Sequence, residues 1–152
     1  MAKPNSYDLR TEPSGRNTAS LEHVPREECL KLLRTMAIGR IAVASPGAAP
    51  HVVPINYAVD EDSIVFRMDP GTKLDLLREF PISFQVDLID PFHKTGWSLL
   101  VQGVATEILS GHVDPGPWPS GDKQHWVRLC TAAITGRRLV LAEVELDSRG
   151  YL

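Results

Sequence analysis

Short β-type runs follow one another along this chain with only turns between them, and this feature constrains the fold most. "RIAVAS" (40–45) and "HVVPINYAV" (51–59) are separated by the turn "PGAAP", and the loop "DEDS" leads into "SIVFRM" (63–68). Later runs of the same kind cover residues 82–89, 97–109, 124–134 and 138–146. Strands that follow each other directly pair as antiparallel hairpins, because a parallel pair needs a long crossover. The sequence therefore predicts a mainly β fold, an antiparallel barrel of about six to seven strands.

Two segments have helical patterning instead. After Pro25, the apolar residues Cys29, Leu33 and Met36 recur at spacings of four and three, which is typical of one face of a helix. Gly39 is predicted to end this helix. A second, shorter helix is predicted over residues 72–79.

The first 20 residues contain almost no large apolar side chains and are rich in Pro, Ser and Asn. Such a segment has little to bury and is typical of a flexible arm. We therefore expect residues 1–20 to form an arm and residues 21–152 to form one domain.

Composition argues against several classes of protein. The formal net charge is −3, and the sequence has no basic cluster of the kind that binds nucleic acid. No apolar run approaches the roughly 20 residues of a membrane span, and the N-terminus lacks an apolar signal segment, so we expect a cytoplasmic protein. Cys29 and Cys130 show no metal-binding spacing, and each is predicted to be a small core residue.

The stretch "IVFRMDPGTKLDLLRE" (64–79) changes from strand to helix at its "PG" pair. A helix N-terminus presents unpaired N–H groups, and Gly71 allows a ligand to approach the backbone closely. Thr72 adds a hydroxyl, while Arg67 and Lys73 add positive charge. These features predict a site for a phosphate monoester. An ordinary strand-to-helix corner with two surface cations explains the same residues.

Other segments offer weaker candidates. In "PINY", Pro54 leaves a ladder position unpaired, so Asn56 and Tyr57 could face a planar ring, or the segment is simply a bulged edge strand. Trp97 begins a strand, and Trp126 lies near the C-terminal strand; either could contact a ligand, a core or a partner subunit. The histidines are scattered, with no metal-ligand pair and no nucleophile motif. We assign no metal site and no catalytic residue, and any redox chemistry would belong to a cofactor.

In order along the chain, "GRIAVAS", "PHVVPINYAVD", "SIVFRMDPGTKLDLL", "ISFQVD" and "GWSLLVQGVATEI" resemble the pyridoxamine 5′-phosphate oxidase-like FMN-binding split-barrel family. The resemblance covers roughly residues 21–140. It implies a split β-barrel homodimer with flavin bound at the subunit interface.

The resemblance also implies which residues contact the cofactor. The "VPINY" strand would lie along the isoalloxazine ring, the strand-to-helix corner would hold the phosphate, and Trp97 and Ser98 would lie near the ring or ribityl chain. With Trp126 added from the residues themselves, the predicted cofactor-binding residues are Pro54, Ile55, Asn56, Tyr57, Arg67, Gly71, Thr72, Lys73, Trp97, Ser98 and Trp126.

The function implied is an FMN-dependent oxidoreductase that moves a hydride between reduced flavin and a small organic acceptor, with a reduced nicotinamide as electron source. A deazaflavin is the alternative cofactor. A non-catalytic flavin, deazaflavin or haem protein of the same fold is the alternative function. The chain ends in "AEVELDSRGYL" and lacks the arginine-rich C-terminal segment of the biosynthetic oxidase, so we do not expect pyridoxamine phosphate as substrate.

Overall fold

The computed structural model describes residues 19–141, which form ten β-strands and two α-helices. The strands are β1 (Ala19–Val24), β2 (Ile38–Val43), β3 (His51–Asn56), β4 (Ala58–Asp60), β5 (Ser63–Met68), β6 (Ile82–Asp90), β7 (Thr95–Gly103), β8 (Ala105–Ile108), β9 (His125–Cys130) and β10 (Ile134–Leu141). The helices are α1 (Arg26–Leu33) and α2 (Thr72–Glu79). The mainly β fold is confirmed, as is the short internal helix.

The strands form two antiparallel sheets. One has the order β1-β10-β7-β6-β2-β3 and the other the order β4-β5-β9-β8. The predicted strand 51–59 divides at Tyr57 into β3 and β4, which belong to different sheets. The predicted strand 97–109 divides in the same way at Val104, between β7 and β8. The chain thus passes twice from one sheet to the other within a single apolar run, which gives a split barrel and more strands than predicted.

The core lies between the two sheets and receives side chains from both helices. Its largest fully buried side chains are Phe66, Phe84, Leu33, Ile41, Ile64, Leu74, Leu77, Leu99 and Leu129. Helix α1 contributes Leu33 and helix α2 contributes Leu74 and Leu77, so each helix covers the barrel with its one apolar stripe.

Helix α1 is shorter than predicted, and Gly39 does not end it. The helix ends at Leu33, where the N–H of Thr35 bonds the carbonyl of Leu32 in a tightened last turn. Gly39 lies inside β2, where a Cβ atom would stand 2.3 Å from the Phe84 ring. Glycine is needed there because the aromatic ring fills the space a side chain would occupy.

Strand β1 was not predicted. It begins at Ala19, inside the segment expected to be an arm, and pairs with β10 along its whole length. Of its side chains only that of Val24 is buried, so no apolar alternation marks it in the sequence. The rest of the predicted arm, residues 1–18, lies outside the described residues.

The last two strands have different bounds from those predicted. The predicted strand 124–134 is confirmed as β9, but it ends at Cys130, four residues earlier than predicted. The predicted strand 138–146 is represented by β10, which already begins at Ile134, and residues 142–146 lie outside the described residues. Cys29 is buried, and burial raises the pKa of its thiol, but Cys130 is exposed and is not a core residue. Neither helix within residues 19–141 has the length and apolar character needed to cross a membrane.

Candidate functional site

A cavity of about 580 Å³ opens beside β3, at the corner between β5 and α2. Its third wall comes from the segment between β8 and β9, of which residues 111–124 are called the 111–124 loop below. The lining residues are Ile38, His51, Val53, Pro54, Ile55 and Asn56, all of residues 67–73, and Pro117, Trp118, Pro119 and Lys123. Of the predicted cofactor-binding residues, the cavity brings together Pro54, Ile55, Asn56, Arg67, Gly71, Thr72 and Lys73.

The corner depends on Gly71. Its φ of 149° and ψ of −174° belong to a region that only glycine enters readily. Gly71 is also the N-cap of α2, and no side chain caps the helix there. A Cβ atom at this position would meet no heavy atom within 4 Å, so the backbone is open to a ligand. The N–H groups of the first helical turn are therefore free to bind an anion.

Charge at the corner favours an anion as well. Lys73 is exposed and forms no ion pair with another residue in the range 19–141. The nearby carboxylate of Asp69 accepts hydrogen bonds from both Nζ and the backbone N–H of Lys123, each 2.8 Å long. The side-chain bond from Lys123 is the main reason that the pKa of Asp69 is lowered. Asp69 is thus compensated by Lys123, which leaves Lys73 available to a negative ligand.

Arg67 is already engaged with the 111–124 loop. Its Nε–H donates to the carbonyl of Lys123 at 2.9 Å, and one terminal nitrogen lies 3.4 Å from the carboxylate of Asp114. Its guanidinium carbon also lies 5.2 Å from the ring centroid of Trp126, within cation–π range. Arg67 therefore holds the loop against β9, and its predicted contact with a phosphate stays a prediction.

Strand β3 forms the apolar wall. Among residues 19–141 it is the last strand of its sheet and pairs with β2 alone, so of the two predicted positions for Pro54, an edge or a bulge, the structure shows the edge. A proline fits this edge because it has no N–H to offer a further strand. Val53 and Ile55 line the cavity beside it. At the end of the strand, Asn56 Oδ1 accepts a hydrogen bond from the backbone N–H of Trp118 at 2.9 Å.

Tyr57 does not line the cavity. It is buried at the passage from β3 to β4, its hydroxyl donates to the carbonyl of Leu33 at 2.6 Å, and burial raises its pKa. Its ring packs edge-to-face on Phe84, with centroids 4.9 Å apart. Tyr57 is therefore a core residue.

Trp97, Ser98 and Trp126 also lie outside the cavity lining. Trp97 is buried in β7, and both it and Ser98 pair with residues of β6 in the larger sheet. Trp126 is half-buried in β9, and its ring lies against Arg67, which does line the cavity. The predicted contact of these three residues with the cofactor stays a prediction.

The sequence interpretation missed the contribution of the 111–124 loop. Trp118 lines the cavity between two prolines, a pattern visible in "PGPWPSG". The start of the loop is held by the buried carboxylate of Asp60, which accepts the backbone N–H of His112 at 2.9 Å. That bond is the main reason the pKa of Asp60 is lowered. A tryptophan flanked by prolines in an otherwise polar loop was the available signal.

The cavity contains few groups suited to acid–base or metal chemistry. Within residues 19–141, no three His, Cys, Asp or Glu side chains are grouped as metal ligands. Thr72 carries the one side-chain hydroxyl among the described lining residues. It forms no hydrogen bond to a histidine, the kind of base that activates a hydroxyl as a nucleophile. The arrangement favours binding of a phosphorylated ligand with an apolar part.

Comparison with known proteins agrees with the fold. The family model for pyridoxamine 5′-phosphate oxidase matches residues 25–138. An uncharacterized protein of Mycobacterium tuberculosis is 27% identical over 143 residues, which cover 84% of this chain and 91% of the relative.

Solved structures of other proteins share this fold. An FAD-binding protein from Mycobacterium smegmatis is 32% identical, with a TM-score of 0.62 over 78% of this chain and 98% of its own. An FAD-binding protein from Mesorhizobium loti shares the fold at 21% identity, with a TM-score of 0.64 over 81% and 99% of the two chains. With the family model covering most of the split barrel, the chain belongs to the pyridoxamine 5′-phosphate oxidase family.

Proposed function

We propose that this protein binds a flavin nucleotide in the cavity beside β3 and uses it as a redox cofactor. The observation that carries the proposal is the corner at Gly71, where an uncapped helix N-terminus, an open backbone and Lys73 meet at the cavity wall. A phosphate monoester satisfies all three features. The 32% identity to the FAD-binding protein of M. smegmatis supports a flavin over other phosphorylated ligands.

The rest of the cavity suits the ring system. Its volume of about 580 Å³ lies within the usual range of about 300–1,000 Å³ for small-molecule sites. Val53, Pro54 and Ile55 provide an apolar wall along the edge of β3, against which a planar heterocycle can lie. The phosphate corner and the apolar wall belong to the same cavity, so one flavin nucleotide can use both.

In this proposal the protein acts as a flavin-dependent oxidoreductase. The flavin, when bound, supplies hydride transfer between a reduced nicotinamide and a small organic acceptor. The residues of this chain bind and orient it: the first turn of α2 and Lys73 hold the phosphate, and β3 sets the plane of the ring. The 111–124 loop covers one side of the cavity and limits the access of water.

FMN is the flavin predicted from the sequence, whereas the names of two relatives favour FAD. FMN carries a phosphate monoester on the ribityl chain and FAD a diphosphate, and the anionic oxygens of either group can bind the N–H groups and Lys73 at the corner. A deazaflavin would use the same phosphate contact and remains the alternative cofactor.

An absorbance spectrum of the purified protein, before and after incubation with FMN or FAD, tests the proposal. We expect flavin bands, and bleaching when a reduced nicotinamide is added without oxygen. Bound flavin that stays oxidised would support the non-catalytic alternative, and a Soret band would indicate haem. A protein that stays colourless with both flavins would refute the proposal.

We further propose a homodimer with flavin at the subunit interface. The end of the β6–β7 hairpin carries exposed apolar side chains: Leu88 is 54%, Ile89 53% and Phe92 86% exposed. Clustered apolar side chains at a surface favour association. A partner's hairpin would also bring its Trp97 and Ser98, on the paired strand, towards an interface.

Sedimentation analysis tests the dimer. We expect the wild-type chain to sediment as a dimer and Ile89→Asp to shift it towards monomer at micromolar concentration. Val104→Asp is the matched control. Val104 is also exposed, at 65%, but it lies at the β7–β8 passage, at the opposite end of β7 from the hairpin turn. A wild-type monomer that binds flavin tightly would contradict the proposal.

A further inference from the structure

The 111–124 loop contains no helix or strand, yet side chains of the barrel hold it at both ends. At its start, the N–H of His112 donates to Asp60 Oδ2 at 2.9 Å. At its end, Lys123 donates its N–H to Asp69 at 2.8 Å and accepts from Arg67 at 2.9 Å. The loop is thus fixed to the cavity wall by polar bonds to separate strands and turns.

Trp118 lies in the middle of this loop, and its backbone is fixed as well. Its N–H donates to Asn56 Oδ1 at 2.9 Å. Pro117 and Pro119 flank it, and a following proline restricts a residue to extended conformations. Despite this fixed backbone the residue as a whole is 71% exposed, and it lines the cavity.

Among the described residues that line the cavity, Trp118 is the one Phe, Tyr or Trp. The two other tryptophans have partners already, since Trp97 is buried in β7 and Trp126 lies against Arg67. Trp118 therefore offers a large flat surface to whatever occupies the cavity. Aromatic side chains of this kind bind planar rings by stacking.

We propose that Trp118 stacks on the isoalloxazine ring and is a binding residue for the flavin ring system. This inference rests on the proposed function. The position fits a ring, because Trp118 is bonded through its backbone to Asn56 at the end of the apolar edge of β3. A planar ring can then lie with Pro54 and Ile55 on one side and the indole on another, while Lys73 holds the phosphate.

Trp118→Ala and Trp118→Phe, each in the full-length protein, test the inference by titration with riboflavin, FMN and FAD. Stacking on an aromatic side chain contributes enough that Trp118→Ala should weaken riboflavin and FMN binding by the same factor, about tenfold. Trp118→Phe should restore most of the affinity. Val113→Ala, on the same loop but outside the cavity lining, should change neither affinity.

Flavin fluorescence provides a second readout. An indole stacked on the ring quenches its emission, so bound riboflavin should be dark in the wild type and brighter in Trp118→Ala. The fold should be unaffected, because the side chain is exposed and the bond to Asn56 uses the backbone; equal melting temperatures without ligand would confirm this.

The possible outcomes separate the inference from the proposed function. Unchanged riboflavin affinity in Trp118→Ala would overturn the inference while flavin binding stands. A loss confined to FAD would place the indole against the adenine and would also overturn it. A wild-type protein that binds no flavin would refute the proposed function itself.

Discussion

Replacing Phe84 with alanine should lower the free energy of unfolding by about 3–5 kcal/mol, the usual range for a fully buried phenylalanine. Phe84 is 0% exposed and lies in β6, opposite Ile41 of β2 and Val101 of β7. Its ring fills the space above Gly39 and packs edge-to-face on Tyr57. Alanine would leave a cavity that these fixed neighbours cannot close.

Denaturant titration at one protein concentration, without ligand, measures this change. Leu109→Ala is the control, because Leu109 is 100% exposed and its truncation should alter the free energy by no more than about 0.5 kcal/mol. A loss below 1 kcal/mol for Phe84→Ala would show that this part of the core repacks easily. It would also weaken the explanation for glycine at position 39.

Replacing Lys73 with alanine should weaken FMN binding by roughly tenfold to a hundredfold. A charge-assisted hydrogen bond contributes about 1.5–3 kcal/mol, and each 1.4 kcal/mol is a factor of ten in affinity. Lys73 lies in the first turn of α2, where a cation opposes the helix dipole unless an anion is bound. Removal of the Lys73 side chain should therefore weaken FMN binding without lowering the stability of the unliganded protein.

Riboflavin lacks the phosphate, so its affinity should hardly change in Lys73→Ala. Lys31→Ala is a matched control, because Lys31 is an exposed lysine on α1 that pairs with Glu27. Equal losses for FMN and riboflavin would show that Lys73 supports the fold and not the phosphate. Together with Trp118→Ala, this comparison assigns the two ends of the flavin to different residues.

Local patterns were enough to predict much of the fold. Short apolar runs with turns between them predicted an antiparallel, mainly β protein, and the "DPGTKLDLL" segment placed α2 at Thr72–Glu79 as observed. Pro54 predicted either an edge or a bulge because proline cannot donate to a ladder, and β3 is the edge strand of its sheet within residues 19–141. Each of these inferences depends on the preferences of the backbone within a few residues.

Part of the candidate site was predicted in the same local way. The residues of the corner form one wall of the cavity, and those of "PIN" form another. Tyr57, the next residue in sequence, points into the core instead, at the place where the chain leaves its sheet. Nothing near Tyr57 in the run "HVVPINYAV" marks that passage, because the one residue of the run that disrupts a ladder, Pro54, lies inside β3 and not at the passage. Trp118 was missed because a loop residue has no periodicity to assign its direction.

The sequence by itself determined the class of fold, the interrupted ladder at Pro54 and the glycine corner between strand and helix. Only the tertiary structure decided where the apolar runs pass from one sheet to the other. It also decided which groups accept the hydrogen bonds of Arg67 and which tryptophan lines the cavity. These depend on contacts between residues far apart in the chain, such as Arg67 with Lys123 and Asn56 with Trp118. Local preference sets the shape of each segment, whereas packing between segments sets what each side chain can touch.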